Sequence, residues 1–477
     1  MQTMITPIVY PHIYLTVAKE DVNMEKNNVR NGWALNVPSY EGGILSQKVY
    51  NNGGGIDFSA ESENGGMQII RGTVQKEFDA YLATLEAEEY KQVFKNVQKE
   101  NTFVEYEKDG KLIYAYHLPA YLETRVIVDN VSVSVPNISY SYEPKNGQTS
   151  AFYQYALMFD PRGFGEGQCS DGKYGNCGMF YIVRLADNSL VLIDGGDRRQ
   201  ATDRSVKELL GFMREITHTP STEKVRISAI YITHWHGDHT AMIEKLLENH
   251  ADELIIERAM YNIVEGCYAF KFLIDMGEGL KKNYPNIKFI KLHTGQRIQL
   301  ADMTFDIILT HEDIVNPTTA DTETTEQNSS STVAKLTIGG TRIMLLADIG
   351  GNHFQPPEYE LIKDRMFKMS ELKCEAVQVS HHAINYWLDD IYNAIGAKFA
   401  FVPQQDIEYD MLIYPCYKKV VNSVRAAGAE KLYFSGRYTY CMELSGDKDI
   451  SITRTPILGA DDGYADMLAE YKEFDND

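Results

Sequence analysis

Ile227-Ser-Ala-Ile-Tyr-Ile-Thr233 runs directly into His234-Trp-His-Gly-Asp-His239. The apolar run reads as a buried strand. Residues two apart on a strand share a face, so His234 and His236 can point at one ion. Gly237 lets the chain turn sharply. Asp238 and His239 then stand at the mouth of a helix beginning at Thr240, whose Ile243, Leu246 and Leu247 pack it back on the sheet. One short segment therefore offers two ligand pairs, His234 with His236 and Asp238 with His239. A lone histidine is most often a satisfied turn residue. Three histidines and one aspartate within six residues are costly to bury together unless a divalent ion offsets their desolvation. Imidazole nitrogens with a carboxylate suit zinc, and also manganese or iron. Trp235 reads as packing beside the strand rather than as a substrate platform.

Outward from this segment, strands alternate with helices. Strands are expected at 179–185, 190–193 and 227–233, with helices at 203–217 and 240–250 between and after them. Further strands are expected at 254–256, 287–292, 304–309, 333–338, 342–346, 376–379 and 399–402. A helix at 417–427 and strands near 431–434 and 440–444 close the unit, which spans 151–455. The pattern predicts an α/β unit of two sheets with outer helices. Residues 1–140 read as a smaller α+β domain. Phe78, Leu82, Leu85, Tyr90, Val93, Phe94 and Val97 fall near a 3.6-residue period and predict a helix over 74–99. Lys108-Asp-Gly110 predicts a hairpin between strands at 101–107 and 111–117. A further strand is expected at 124–128. No His, Cys or carboxylate cluster with ligand spacing occurs in this part, which points to an accessory role in substrate selection or association. Residues 135–150, with Pro136, Pro144 and Gly147, read as a linker, and 456–477 as an acidic tail.

The chain has 477 residues, too many for one ordinary core. Its net charge is −21, from 46 basic and 67 acidic residues. Such a surface repels phosphate backbones, and no Lys/Arg run makes a basic groove, so a small-molecule substrate is expected rather than long nucleic acid. No stretch approaches the roughly 20 apolar residues of a membrane helix, so no membrane partner is expected. Residues 1–14 lack a basic region followed by an apolar core, which favours the cytoplasm. Six cysteines include no CxxC pair. Cys169 and Cys177 flank a Gly-rich loop and read as free thiols, with a bridge as the alternative.

His-x-His-x-Asp-His after a hydrophobic strand resembles the metallo-β-lactamase-fold superfamily, and other landmarks follow in order. Leu190-Val-Leu-Ile-Asp194-Gly-Gly resembles its first motif, whose Asp supports the metal loop without binding metal. Met344-Leu-Leu-Ala-Asp348 resembles the fourth, whose Asp bridges two ions. Val377-Gln-Val-Ser-His381-His382 resembles the fifth, which supplies a His to the second ion; both His381 and His382 stay candidates. The resemblance implies a four-layer αββα sandwich and two divalent ions, zinc first, with manganese or iron as alternatives. Asn328-Ser-Ser-Ser-Thr-Val-Ala-Lys-Leu, the Ser-His-His and Val424-Arg-Ala-Ala-Gly-Ala are similar to the hydrolase domain of bacterial DNA-uptake competence proteins and its free-standing relatives. That branch has His-His-Gly where this chain has Ala383. Many members supply a further His between the second and fourth motifs. His311 and His293 are the only His candidates between His250 and Asp348; the branch often lacks this His and uses the Asn/Ser segment near Asn328 instead, and His293 shows nothing that favours a ligand over a surface residue.

The mechanism implied is attack by a metal-activated water on an acyl or phosphoryl centre. Asp238 would bind and orient, Asp348 bridge, and Asp194 hold the loop. Phosphodiester or phosphoester bonds are expected ahead of ester, lactone or amide bonds. Two other readings compete. A redox di-iron enzyme of the same fold would carry Glu at His236 and a flavin domain, and neither is seen. A non-catalytic binding module would keep the metal for folding alone, perturbing no activity when Asp238 is removed. Association through the N-terminal part is a further expectation.

Overall fold

The computed structural model describes residues 37–45, 66–129, 133–142, 149–157, 178–198, 200–262, 270–314, 328, 331–350, 356–384, 388–404, 416–435, 438–444 and 450–456. Cys169, Cys177, most of the loop between Gly163 and Gly178, and the acidic tail beyond Pro456 lie outside them. No helix among the described residues is long and apolar enough to cross a membrane.

The first part of the chain forms β1 (Ile44–Leu45), β2 (Gly66–Arg71), α1 (Gln75–Ala87), β3 (Lys91–Gln98), β4 (Asn101–Lys108), β5 (Lys111–Leu118) and β6 (Glu123–Asp129). These strands make one antiparallel sheet in the order β1-β2-β6-β5-β4-β3. The β4–β5 turn has Asp109 and Gly110 at φ 50° and 78°, the double positive φ of a type I′ hairpin. The helix expected over 74–99 is shorter than its apolar spacing suggests. It stops at Ala87, and 91–98 is an edge strand paired with β4. The stop is a Schellman turn: Tyr90 N–H reaches Leu85 O at 2.9 Å, Glu89 N–H reaches Glu86 O at 3.0 Å, and Glu89 takes φ 64°. A glutamate does there what glycine usually does, so the sequence carries no visible stop signal.

Then come α2 (Val135–Ile138), β7 (Ser150–Gln154), β8 (Phe180–Arg184), β9 (Leu190–Asp194), α3 (Asp203–Thr217), β10 (Val225–Ile232), α4 (Gly237–His250), β11 (Leu254–Ile256), β12 (Arg258–Tyr261), α5 (Phe270–Asn283) and β13 (Lys288–Lys291). The second half gives β14 (Arg297–Leu300), β15 (Met303–Leu309), α6 (His311–Ile314), β16 (Val333–Ile338), β17 (Thr341–Leu345), α7 (Pro356–Met369), β18 (Ala376–Gln378), α8 (Asp389–Ile395), β19 (Phe399–Val402), α9 (Cys416–Ala426), β20 (Lys431–Phe434), β21 (Tyr438–Leu444) and β22 (Ser451–Pro456). The stretch read as a linker carries α2, with Val135 and Ile138 both buried.

Two sheets result. One runs β13-β12-β10-β9-β8-β7-β21-β22 with β11 beside β10; the other runs β14 through β20 in chain order. Side-chain alternation assigns the layers. Val191, Ile193, Ala229 and Tyr231 meet Phe305, Ile307, Leu336, Ile343 and Leu345 in a core between the sheets. Leu190, Leu192, Ile227 and Ile230 face outward onto Val206, Leu209 and Met213 of α3 and Met242, Ile243 and Leu246 of α4. Met344, Val377 and Val402 face outward onto α7, α8 and α9. The architecture is α/β, a four-layer αββα sandwich. Its inward and outward sets together give one dry interior and two helix-covered faces, which is why the strands read as continuous apolar runs.

The N-terminal sheet lays one face on α1 and the other on the sandwich, where Phe103, Tyr114 and Tyr116 pack with Met369 of α7. This contact also buries charge. His293 lies between Asp129, at 2.6 Å, and Glu312, at 3.0 Å. The reading of His293 as a surface residue is therefore corrected: it is 2% exposed. Tyr116 donates to Asp313 at 3.0 Å, Tyr114 donates to Thr294 O at 2.8 Å, and Arg125 donates to Glu312 O.

Candidate metal centre

The site forms where parallel strand pairs end. β9 and β10 run parallel in one sheet, β17 and β18 in the other. Their carboxyl ends deliver Asp194, the His234–His239 turn, Asp348 and the Ser380–His382 turn to one place, as open α/β sheets do with their ligands. The sheets are tied together here: Thr332 N–H donates to Thr233 O at 2.9 Å, and Tyr231 donates to Thr332 O at 2.5 Å.

Two donor groups come together among the described residues. His234, His239 and Asp348 form one; Asp238, His239 and His382 form the other. Asp348 Oδ2 faces three imidazole nitrogens, with His239 Nε2 at 3.2 Å, His382 Nε2 at 3.4 Å and His234 Nε2 at 3.8 Å. This grouping differs from strand parity, which pairs His234 with His236. β10 already ends at Ile232, so the histidines lie on the turn beyond it. His236 precedes α4 and belongs to neither group, but its Nδ1 is 3.1 Å from His234 Nε2. Trp235 is buried in the outer core beneath α3 and α4.

The two adjacent histidines part company. His382 is 1% exposed and its Nδ1 donates to Pro403 O at 2.9 Å. That leaves Nε2 directed at Asp238 and Asp348, where a neutral ring would present its lone pair to an ion. His381 lies outside both groups, its Nε2 3.2 Å from Asn328 Nδ2. His381, His382 and Ala383 take φ of 46°, 50° and 63° in succession. Left-handed backbone at three side-chain-bearing residues is strained. His381 N–H bonds Ala347 O at 3.0 Å and Ile384 N–H bonds His381 O at 2.7 Å, which hold the turn.

Asp194 holds the cluster from behind. It is fully buried, accepts from Thr233 N–H at 2.8 Å and Thr233 Oγ1 at 2.7 Å, and meets His239 Nδ1 at 2.6 Å. Asp348 is set by Ser331, whose Oγ accepts its N–H at 3.2 Å. Gln378 grips Ala347 from both sides, accepting from its N–H at 2.6 Å and donating to its O at 3.0 Å. Thr233, Gln378 and Pro403 act through backbone contacts or hydrogen bonds that no sequence pattern marks, whereas Ser331 falls in the Asn/Ser segment near Asn328. His311 is buried on α6 and belongs to neither donor group.

The electrostatics favour added positive charge. Burial opposes protonation of His239, yet Asp348 and Asp194 on its two sides push its pKa up to about 10. Burial, followed by the neighbouring His239, holds His234 well below the ordinary range. Burial would raise Asp348, but His239 and His382 hold it well below its ordinary value. Asp348 Oδ1 is buried with no hydrogen-bond partner. His382 Nε2 also makes no properly angled hydrogen bond, although Asp238 and Asp348 oxygens lie 3.3 and 3.4 Å away. Buried polar atoms are otherwise paired. Orphaned nitrogen and oxygen atoms converging with backed imidazoles fit a divalent metal centre.

No family model matches the chain, and no curated protein matches it. Among solved structures, it is similar to the metallo-beta-lactamase fold protein YhfI from Bacillus subtilis at 12% identity, covering 65% of this chain and 100% of that one, TM-score 0.35. It is similar to Zn(2+)-bound PqqB from Methylobacterium extorquens at 7% identity, covering 52% and 77%, TM-score 0.29. A possible metal-dependent hydrolase from Veillonella parvula aligns at 12% identity over 53% and 92%, TM-score 0.26. At such values the fold class stands on the chain's own layers.

Proposed function

We propose that this chain is a metal-dependent hydrolase acting on phosphodiester or phosphoester bonds of a small substrate, with two divalent ions, zinc first and manganese or iron as alternatives. The observation that carries the reading is the pair of donor groups joined at His239, with orphaned atoms on Asp348 and His382. His234 and Asp348, with His236 beside them, would hold one ion. Asp238, His239 and His382, with Asp348 shared, would hold the other. Ions held there supply Lewis acidity toward water and a counter-charge for the oxygen that turns negative.

The chain's own residues do the positioning. Asp194 fixes the His239 ring through Nδ1, and Pro403 O fixes His382 through its Nδ1. The Asp238 side chain is 21% exposed whereas that of Asp348 is 1% exposed. Asp238 is thus the carboxylate that can meet an incoming water or substrate, and Asp348 the one that stays inside. The preference for phosphoester over ester, lactone or amide bonds comes from the branch resemblance. Zinc- or manganese-loaded protein is expected to hydrolyse bis-p-nitrophenyl phosphate, with Asp238→Ala abolishing turnover. Hydrolysis of p-nitrophenyl esters without any phosphodiesterase activity would reverse the preference. Activity untouched by Asp238→Ala would show that this centre does not carry turnover and would favour a metal kept for folding alone.

A further inference from the structure

Away from the metal centre, buried donors gather where β6 of the N-terminal sheet meets α6 and α7 of the sandwich. Arg125 and Arg365 are 0% and 3% exposed. Both reach the one carboxylate of Glu123. Arg125 Nε stands 2.8 Å and Arg365 Nη1 3.0 Å from the same Oε1. Arg365 Nη2 donates to Oε2 at 3.2 Å, and Arg125 Nη1 donates to Glu312 O. Arg125 Nη2 and Arg365 Nε are then left with no acceptor, and Arg365 Nη1 meets Oε1 off the line of a hydrogen bond. Buried donors are ordinarily paired, and an unsatisfied charged group costs more than a neutral one. Two guanidinium groups held to one oxygen bring these orphaned atoms into one neighbourhood.

The nearby described groups are committed elsewhere. The Tyr121 ring covers the Arg365 guanidinium, its centre 4.0 Å from Cζ, which supplies attraction but no lone pair. Asp313 accepts from Tyr116 Oη at 3.0 Å, from Thr294 Oγ1 and from Thr310 N–H at 3.2 Å, and burial pushes its pKa up. Asp364 is engaged by Tyr121 Oη and by Lys368, at 2.8 Å each. Arg71 adds a third cation: burial lowers its pKa, Glu123 opposes this, and Arg365 and Arg125 add to it. Three arginines thus crowd one committed carboxylate, in a chain whose net charge is −21. Buried waters would supply acceptors and leave the excess positive charge standing. An anion supplies acceptors and charge together.

We propose that Arg125 and Arg365 form a binding site for a monatomic anion of the chloride class, which clasps the N-terminal sheet to α7. The site is independent of the hydrolase reading. Its orphaned atoms are closed to solvent, which suits a dehydrated halide better than a phosphate or an organic acid. The test uses the full-length chain, crystallised from sodium bromide and, separately, melted in mixtures of potassium chloride and potassium gluconate at constant ionic strength. An anomalous bromide peak within hydrogen-bonding reach of Arg125 Nη2 and Arg365 Nε is expected. The thermal midpoint should rise by roughly 2 °C or more as chloride replaces the bulky gluconate, because the anion binds only the folded chain. Arg365→Gln should lose that rise. If Arg365→Gln does not fold, Arg365→Lys takes its place; it keeps the charge beside Glu123, lacks the Nε donor, and should show at most half the rise. A rise that survives in full in the variant would place the chloride effect elsewhere, at the metal centre or on the surface, and overturn the proposal. Ordered water in place of bromide would also overturn it. A bromide peak with a midpoint indifferent to chloride would mark an adventitious ion only, and the clasp would fall with it.

Discussion

His239 sits between Asp194 on its Nδ1 side and Asp348 on its Nε2 side. One carboxylate fixes the ring, and the other shares whatever the ring binds. Asp194→Asn keeps the shape but removes the charge behind His239, and should weaken metal binding by about 10–100-fold. Equilibrium dialysis against zinc checks it; an unchanged affinity would remove Asp194 from its supporting role. The adjacent histidines give a sharper comparison. His382→Ala should lower the metal bound per chain, read by plasma mass spectrometry, while His381→Ala should leave it unchanged. The reverse result would put the ligand on His381. The compact half of the site, His234 to His239, is legible in the sequence because its donors lie within six residues. The choice between His381 and His382 is not, because Pro403 decides it through a carbonyl, which every residue type possesses.

Elements were legible where their period was unambiguous and their ends were marked. β10 and α4 declare themselves by an apolar run, a glycine and a helical stripe. The 74–99 segment does not, because Val93, Phe94 and Val97 suit an edge strand as well as a helix. At α3 the mark is present: Thr202 Oγ1 accepts from Ser205 N–H at 3.1 Å. Thr202→Ala should cost about 1 kcal/mol, seen as a lower thermal midpoint with activity retained; an unchanged midpoint would mean the cap contributes nothing. The turn between β13 and β14 has a stricter requirement. Gly295 takes φ 86°, and a methyl group there would stand 2.1 Å from Phe103 of β4. Gly295→Ala should therefore destabilise by roughly 1–3 kcal/mol through overpacking against the N-terminal sheet. A midpoint equal to wild type would show that Phe103 moves aside without cost.

Over the whole molecule, the N-terminal sheet is held to the sandwich by buried charge as well as by packing. No sequence pattern announces this, since Asp129, the Lys291–His293 stretch and Glu312 are separate in the chain and meet only in the fold. His293 faces Asp129 and Glu312 on its two nitrogens, stacks on Tyr114 with ring centres 4.9 Å apart, and lies near Glu105; Lys291 Nζ is 3.7 Å from Glu312. Burial disfavours the imidazolium, but Glu312 and Asp129 outweigh it and push the pKa from 6.5 up to about 10. A raised pKa means the folded chain holds the proton more tightly than the unfolded chain. The stabilisation is therefore complete below about pH 6.5 and is lost as pH climbs through about 10. His293→Gln removes the charge and leaves two carboxylates buried together, a loss of roughly 3–5 kcal/mol for a broken buried pair. At pH 7 the variant should melt well below wild type. By pH 10 the gap should narrow, because wild type has by then surrendered much of the same interaction. Thermal midpoints of both proteins at pH 7, 8.5 and 10 measure it. A gap that stays constant across that range would mean His293 acts through shape and hydrogen bonding alone, and that the proton contributes nothing to holding the sheet in place.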